Sequence, residues 1–189
     1  MIRDLILKNR SYRRFHEEVG IRLETLRELV DLARLSASAR NAQPLKYILS
    51  CEPERNLLIF LHLAWGGYLM GSRSPCEGER PSAYIVILGD TEISGSFGCD
   101  HGIAAQSIML GATEKGFGGC IIASIEKEGL REVLQIPPRY EILLVLALGK
   151  PKETVVIETV KPTGDTKYWH DGERVHHVPK RPLDDIIIS

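Results

Sequence analysis

Two stretches, 83–88 (AYIVIL) and 142–148 (ILLVLAL), contain no charged residue and end at Gly89-Asp90 and Gly149. Runs of that length, closed by turn residues, are strands buried on both faces, so the chain must carry a second and a third layer to cover them. The covering elements are legible as helices. From Leu23, apolar positions recur at Leu26, Val30 and Ala33, the one-sided stripe of an amphipathic helix that runs out toward Pro44. Pro53 opens a second helix over ERNLLIFLHLAW, apolar on most sides and therefore expected to be buried. Asp100 is placed to cap a helix that stops at Gly116. Leu130, Val133 and Leu134 mark a short helix ended by Pro137-Pro138. Residues 47–51 and 120–125 complete the strands, 71–82 read as loop, and Ile2, Leu5 and Ile6 mark a short first helix. Helices and buried strands alternate from 23 to 148, which gives a sheet with helices on both faces.

After residue 150 the pattern changes. VVIETV reads as an edge strand, and the remainder is polar, aromatic and basic, with a turn at Asp171-Gly172. The division is a core over 1–160 and an arm over 161–189, too poor in apolar residues to fold alone and so laid over the body or over a partner subunit. Length and charge limit the rest. A chain of 189 residues, 43% apolar and 26% charged, is one globular domain, and a net charge of -1 argues against nucleic-acid or anionic-membrane binding. No apolar run is long enough to cross a bilayer, and MIRDLILKNR is not a signal peptide. Cys51, Cys76, Cys99 and Cys120 lie far apart and read as reduced thiols of a cytoplasmic protein, with Cys120 buried.

Against that neutral background the chemistry concentrates in a few places. Lys8, Arg10, Arg13 and Arg14 put four cations within seven residues, with the Ser11 hydroxyl among them. Guanidinium forks and turn amides together suit a phosphate, although a solvated basic turn after a helix has the same composition. Ser36 to Lys46 adds small hydroxyls and the carboxamides of Asn41 and Gln43, able to read a heteroaromatic edge or simply to finish a helix. The glycines of GFGGCIIASI are read as turn geometry, with Ala123 and Ser124 at the strand end as backbone donors. Lys180-Arg181 forms a second cationic pair. His170, His176 and His177 cluster, but no acid or cysteine stands at a metal-ligand interval, and alternation points His176 and His177 to opposite faces. No metal site is therefore expected. No nucleophile–base pair is legible either, so an enzyme of this sequence borrows its chemistry from a cofactor.

The order R-S-x-R at 10–13, S-x-x-N-x-Q-P at 38–44, D-x-G-x-A-A-Q at 100–106 followed by G-x-G, and K-R-P-L at 180–183 resembles the FMN-dependent nitroreductase family over roughly residues 5 to 187. GERPSAYIVILGD also resembles compact members of that family. The resemblance implies an α+β fold, a three-layer α/β/α sandwich with a central mixed, mostly antiparallel sheet, in a homodimer with FMN at the subunit interface and carboxyl-terminal arms exchanged. It implies Arg10, Ser11 and Arg13 as the flavin-anchoring turn and Asn41 beside the ring, with Ser38 and Gln43 as neighbours. Ala123 and Ser124 would offer backbone donors, and Lys180 with Arg181 would complete the phosphate pocket. The implied activity is ping-pong transfer from NAD(P)H through FMN to a small electron-poor acceptor, a nitroaromatic or quinone. A flavin- or nucleotide-binding sensor or carrier without turnover shares the same anchors. Leu45 stands where the family often has tryptophan, and the substrate-covering region is compressed into 54–82.

Overall fold

The computed structural model describes residues 1–65, 75–161, 164–173 and 175–188. The start of the loop expected at 71–82, and the middle of the compressed region 54–82, lie outside the described residues. The elements are α1 (Ile2–Lys8), β1 (Phe15–His16), α2 (Leu23–Arg34), β2 (Leu45–Ser50), α3 (Pro53–Leu61), β3 (Ala83–Asp90), α4 (Asp100–Glu114), β4 (Gly118–Ile122), α5 (Lys127–Leu134), β5 (Tyr140–Pro151), β6 (Val155–Thr159), β7 (Trp169–His170) and β8 (His176–Lys180). Single 3₁₀ turns cover Ala39–Asn41 and Leu183–Asp185.

The long apolar strand β5 organises the main sheet. It pairs antiparallel with β3 on one side and with β4 and then β1 on the other, while β2 extends the sheet beyond β3. Alternation along β3 divides its side chains between two cores, as a pleat of period two requires. Ile85 and Ile87 pack under α2 and α4 with Leu26, Leu29, Ala105 and Ile108. Tyr84, Val86 and Leu88 pack under α3 and α5 with Ile59 and Leu130. The result is the three-layer α+β arrangement expected. One irregularity makes the alternation work: Ile87 opposes Leu144 and Leu88 opposes Ile142, so Leu143 bulges out of the ladder. Ile142 thereby reaches the same core as Val145, three positions along the strand.

The arm strands β7 and β8 join β6, from the end of the core segment, in a small separate sheet ordered β6-β8-β7, with β6 at its edge and the turn at Asp171-Gly172 between β7 and β8. It lies against the body of its own chain. The Arg13 guanidinium sits over the Tyr168 ring at 4.7 Å, and the Arg13 and Arg14 amides both donate to Glu153 Oε1.

Three local expectations need correction. Helix α2 ends at Arg34, ten residues before Pro44, where the Ser36 hydroxyl donates back to Leu32 O and closes the last turn. Helix α3 is shorter than its apolar run and half open: Asn56 and Ile59 are buried, whereas Leu57, Leu58 and Leu61 are exposed. Only one side of α3 has a neighbouring layer, and the buried side is fixed by polar bonds. The Ser50 hydroxyl donates to Asn56 Oδ1, and Asn56 Nδ2 donates to Ser82 O, both at 2.8 Å. Asp100 is not the cap of α4 but its first helical residue, and its carboxylate is engaged elsewhere, as described below.

Candidate functional site

The basic turn is built by what it pairs with. Ser11 bridges Gly119 and the Tyr12 amide donates to Gly119 O, so the turn runs along the free edge of β4. Gly118 and Gly119 permit this approach. A Cβ on Gly118 would lie 2.5 Å from the Tyr12 ring, and one on Gly119 would lie 2.2 Å from Ala147 O. Only Gly116, at φ +77, serves as turn geometry, ending α4. The other two are spacing devices that bring the turn against the sheet.

The cations then part company. Arg14 donates Nε and Nη2 to the two oxygens of Glu79 at 2.6 and 2.5 Å, and Lys152 adds a contact at 3.3 Å. The Arg14 bonds, first among the causes, hold the Glu79 carboxyl down at about 2 despite its burial. Arg14 is therefore a structural cation. Arg10 and Arg13 are not so engaged. Arg10 gives one nitrogen to Ile6 O at 2.5 Å, while its buried Nε has no hydrogen-bond partner among the described residues. The Arg13 guanidinium donates to Ser11 O at 3.3 Å and lies over the face of Tyr168.

Arg10, Ser11 and Arg13 line a pocket of about 280 Å³, and Lys180, from the other end of the chain, lines the same pocket. Asn9, Gln106, Met109, Gly119, Ile121, Tyr168, His176 and Val178 complete it. Gln106 closes the D-x-G-x-A-A-Q motif, and that motif is the one signal that pointed to it. Tyr168 and His176 had none. Chemically the pocket offers guanidinium, ammonium, hydroxyl and an orphaned N–H donor, the complement of a phosphate dianion. Burial, first, and then the nearby Arg13 charge push His176 down to about 4, so its imidazole is neutral at neutral pH.

Ser38 and Gln43 are elsewhere. They line a second pocket of about 220 Å³ with Ser36, Lys46, Tyr47, Asp100 and Ala104. Here Asp100 finds its role: the Ser38 hydroxyl donates to one carboxylate oxygen at 2.6 Å and the Ala39 amide to the other at 3.0 Å. Ser38 Oγ in turn accepts the Gln43 amide at 2.9 Å. This bracing holds Arg40, Asn41 and Gln43 at φ 52, 53 and 51, a conformation costing about 1–3 kcal/mol per residue. Asn41 lies beside this pocket in sequence but lines neither cavity. Ala123 and Ser124 are exposed just past the end of β4, and Ser124 O accepts the Ala64 amide at 3.0 Å. Gly119 and Ile121 line the first pocket, and Ala123 continues that alternation beyond the strand. Arg181 is exposed and apart from both pockets.

Fold and pocket together define an α+β protein with a cationic cavity at the edge of its sheet. The sequence model of the nitroreductase family matches residues 6–65 and 90–150, and the chain belongs to that family of oxidoreductases. No curated protein matches the chain. Among solved structures it is similar to an FMN-dependent nitroreductase from Clostridium difficile R20291, with 25% identity, 80% of this chain and 88% of that one covered, and a TM-score of 0.66. A nitroreductase family protein from Streptococcus pneumoniae TIGR4 shares the fold over 100% of both chains, with 19% identity and a TM-score of 0.71. The NADPH:FMN oxidoreductase from Vibrio harveyi shares it over 79% of this chain and 68% of that one, with 22% identity and a TM-score of 0.63. Among the described residues no helix is long and apolar enough to cross a membrane.

Proposed function

We propose that the protein is an FMN-dependent NAD(P)H oxidoreductase, with the flavin phosphate held by Arg10, Ser11, Arg13 and Lys180. The observation that carries this reading is that side chains from both ends of the chain line one pocket, with Arg10 Nε buried there without a partner. An orphaned buried donor costs about 1–3 kcal/mol, and a phosphate oxygen relieves that cost. Arg13 is oriented by its stack on Tyr168, and the Glu153 carboxylate fixes the backbone on which it rides. Bound FMN supplies the two-electron chemistry, with reduced nicotinamide as donor and a nitroaromatic or quinone as acceptor.

A pocket of about 280 Å³ suits the phosphate end of FMN, not the whole cofactor. The Ser38 and Gln43 pocket abuts α4 at Ala104, the phosphate pocket at Gln106. Two residues along a helix is a rotation of roughly 200°, so the pockets lie on opposite sides of α4. A site that uses Ser38, Asn41 and Gln43 as well as the phosphate anchors therefore draws on two copies of the chain. This supports a homodimer with FMN at the interface.

The visible spectrum tests the reading. The purified protein, or the protein after incubation with FMN, shows bound-flavin absorption that bleaches anaerobically with NADH or NADPH. A colourless protein that refuses added FMN refutes it. Bound flavin that stays oxidised with excess of both nicotinamides identifies a carrier or sensor instead.

A further inference from the structure

The acid that the spacing of the histidines did not supply comes from residue 153. Glu153 lies between β5 and β6, His170 ends β7 and His176 opens β8. Strand pairing brings them together: His170 opposes His176 across the β7–β8 ladder, and Val155, two residues after Glu153, opposes His176 across the β6–β8 ladder. One ligand atom from each residue lies within 4.8 Å of the other two.

The three groups are left strangely unbonded for so enclosed a place. The Glu153 side chain is 1% exposed, and His176 as a residue is 2% exposed. Yet among the described residues Glu153 Oε2, His170 Nε2 and both ring nitrogens of His176 have no hydrogen-bond partner. Glu153 Oε2 and His170 Nε2 face each other at 3.6 Å, too far for a hydrogen bond. That gap is close to the roughly 3.4 Å between ligand atoms that bonds of about 2.1 Å impose around a tetrahedral ion. The other carboxylate oxygen, Oε1, is already fixed by the amides of Arg13 and Arg14, so Oε2 is aimed. This is the outer support that holds a carboxylate ligand in orientation. Neighbouring His177 shows the contrast: it bonds Glu158 at 2.5 Å and Asp171 at 3.2 Å, stacks on Trp169, and has no nitrogen to spare.

We infer that Glu153, His170 and His176 form a binding site for one divalent transition-metal ion of the zinc type, with a remaining coordination position toward the pocket that His176 lines. Two imidazoles and one carboxylate are a zinc donor set, and three protein ligands leave a position for water. The site borders the phosphate pocket through His176, but its residues come from the arm and the segment joining it to the sheet, and its test needs no turnover.

The test uses the tag-free full chain, stripped with chelator and dialysed into a buffer without phosphate. Calorimetric titration with Zn²⁺, and visible absorption with Co²⁺, should show one ion bound per chain at micromolar affinity or tighter. Glu153→Gln and His170→Ala should each weaken binding by about 100-fold, while His16→Ala, a histidine far from the cluster in sequence, should leave it unchanged. Absence of saturable binding by about 1 mM, or wild-type affinity in His170→Ala, overturns the site. Should either variant fail to fold by circular dichroism, X-ray absorption of the zinc-loaded wild type decides. Two imidazoles with further oxygen ligands support the site, and a sulfur shell, placing the ion on cysteine, overturns it.

Discussion

Glu79→Gln isolates one electrostatic link between the basic turn and the loop before β3. The carboxylate bonds Arg14 twice, at 2.6 and 2.5 Å, and Lys152 at 3.3 Å, with Arg14 and Glu79 side chains only 17% and 12% exposed. A carboxyl lowered from 4.5 to about 2 is stabilised in its ionised form by about 3 kcal/mol in the folded protein. Discounting for the solvent that reaches Lys152, which is 40% exposed, the expected loss in Glu79→Gln at pH 7 is about 2 kcal/mol. Because the folded value is depressed, this stability is present above 4.5 and lost as pH falls toward 2. By pH 3.5 the wild type should have given up about 1.4 kcal/mol of it, an amount the variant never had. Urea unfolding followed by tryptophan fluorescence at pH 7, 5 and 3.5 measures the difference. The two proteins should differ by about 1 M in midpoint at pH 7 and converge as pH falls. A gap as wide at pH 3.5 as at pH 7 would show that the pair contributes packing and not charge.

Gly119→Ala puts a methyl 2.2 Å from the backbone oxygen of Ala147, within a ladder that cannot yield, and should cost about 3 kcal/mol or more. Gly95→Ala, with nothing within 4 Å, should stay within about 0.5 kcal/mol of wild type when both variants are unfolded in urea. Asp100→Ala strips the acceptor from the Ser38 hydroxyl and the Ala39 amide and should destabilise by about 2–3 kcal/mol. Faster hydrogen exchange at Ala39 and Gln43 should accompany that loss, and unchanged exchange there would refute the bracing role. Arg13→Ala should weaken FMN binding by about 1.5–3 kcal/mol, read as quenching of added flavin fluorescence. An unaltered affinity removes Arg13 from the phosphate site.

What the sequence made legible was whatever its local pattern encodes. The buried strands β3 and β5 and the stripe of α2 follow from periodicity, and the pairing of the 10–13 turn with Lys180 followed from the order of motifs. Partnerships between distant residues left no such trace. Nothing near Arg14 announces Glu79, nothing near Asp100 announces Ser38, and nothing near the histidines announces Glu153. Helix α3 misled for the opposite reason: an all-round apolar run predicts burial, but of its residues only Asn56 and Ile59 are buried. The glycines at 118 and 119 were visible, but their purpose depended on which side chain approaches them, and that is settled by the fold as a whole.

The position of β5 in the chain also bears on how the protein is made. Three of the four other strands in the main sheet hydrogen-bond to β5, which is complete only at Pro151. While a ribosome is still extending the chain toward that point, β3 can pair only with β2, and the backbone N–H and C=O groups along its opposite edge have no partner strand. The nascent polypeptide thus holds an aggregation-prone strand until synthesis has passed Pro151, an interval in which shielding of that strand favours the yield of native protein.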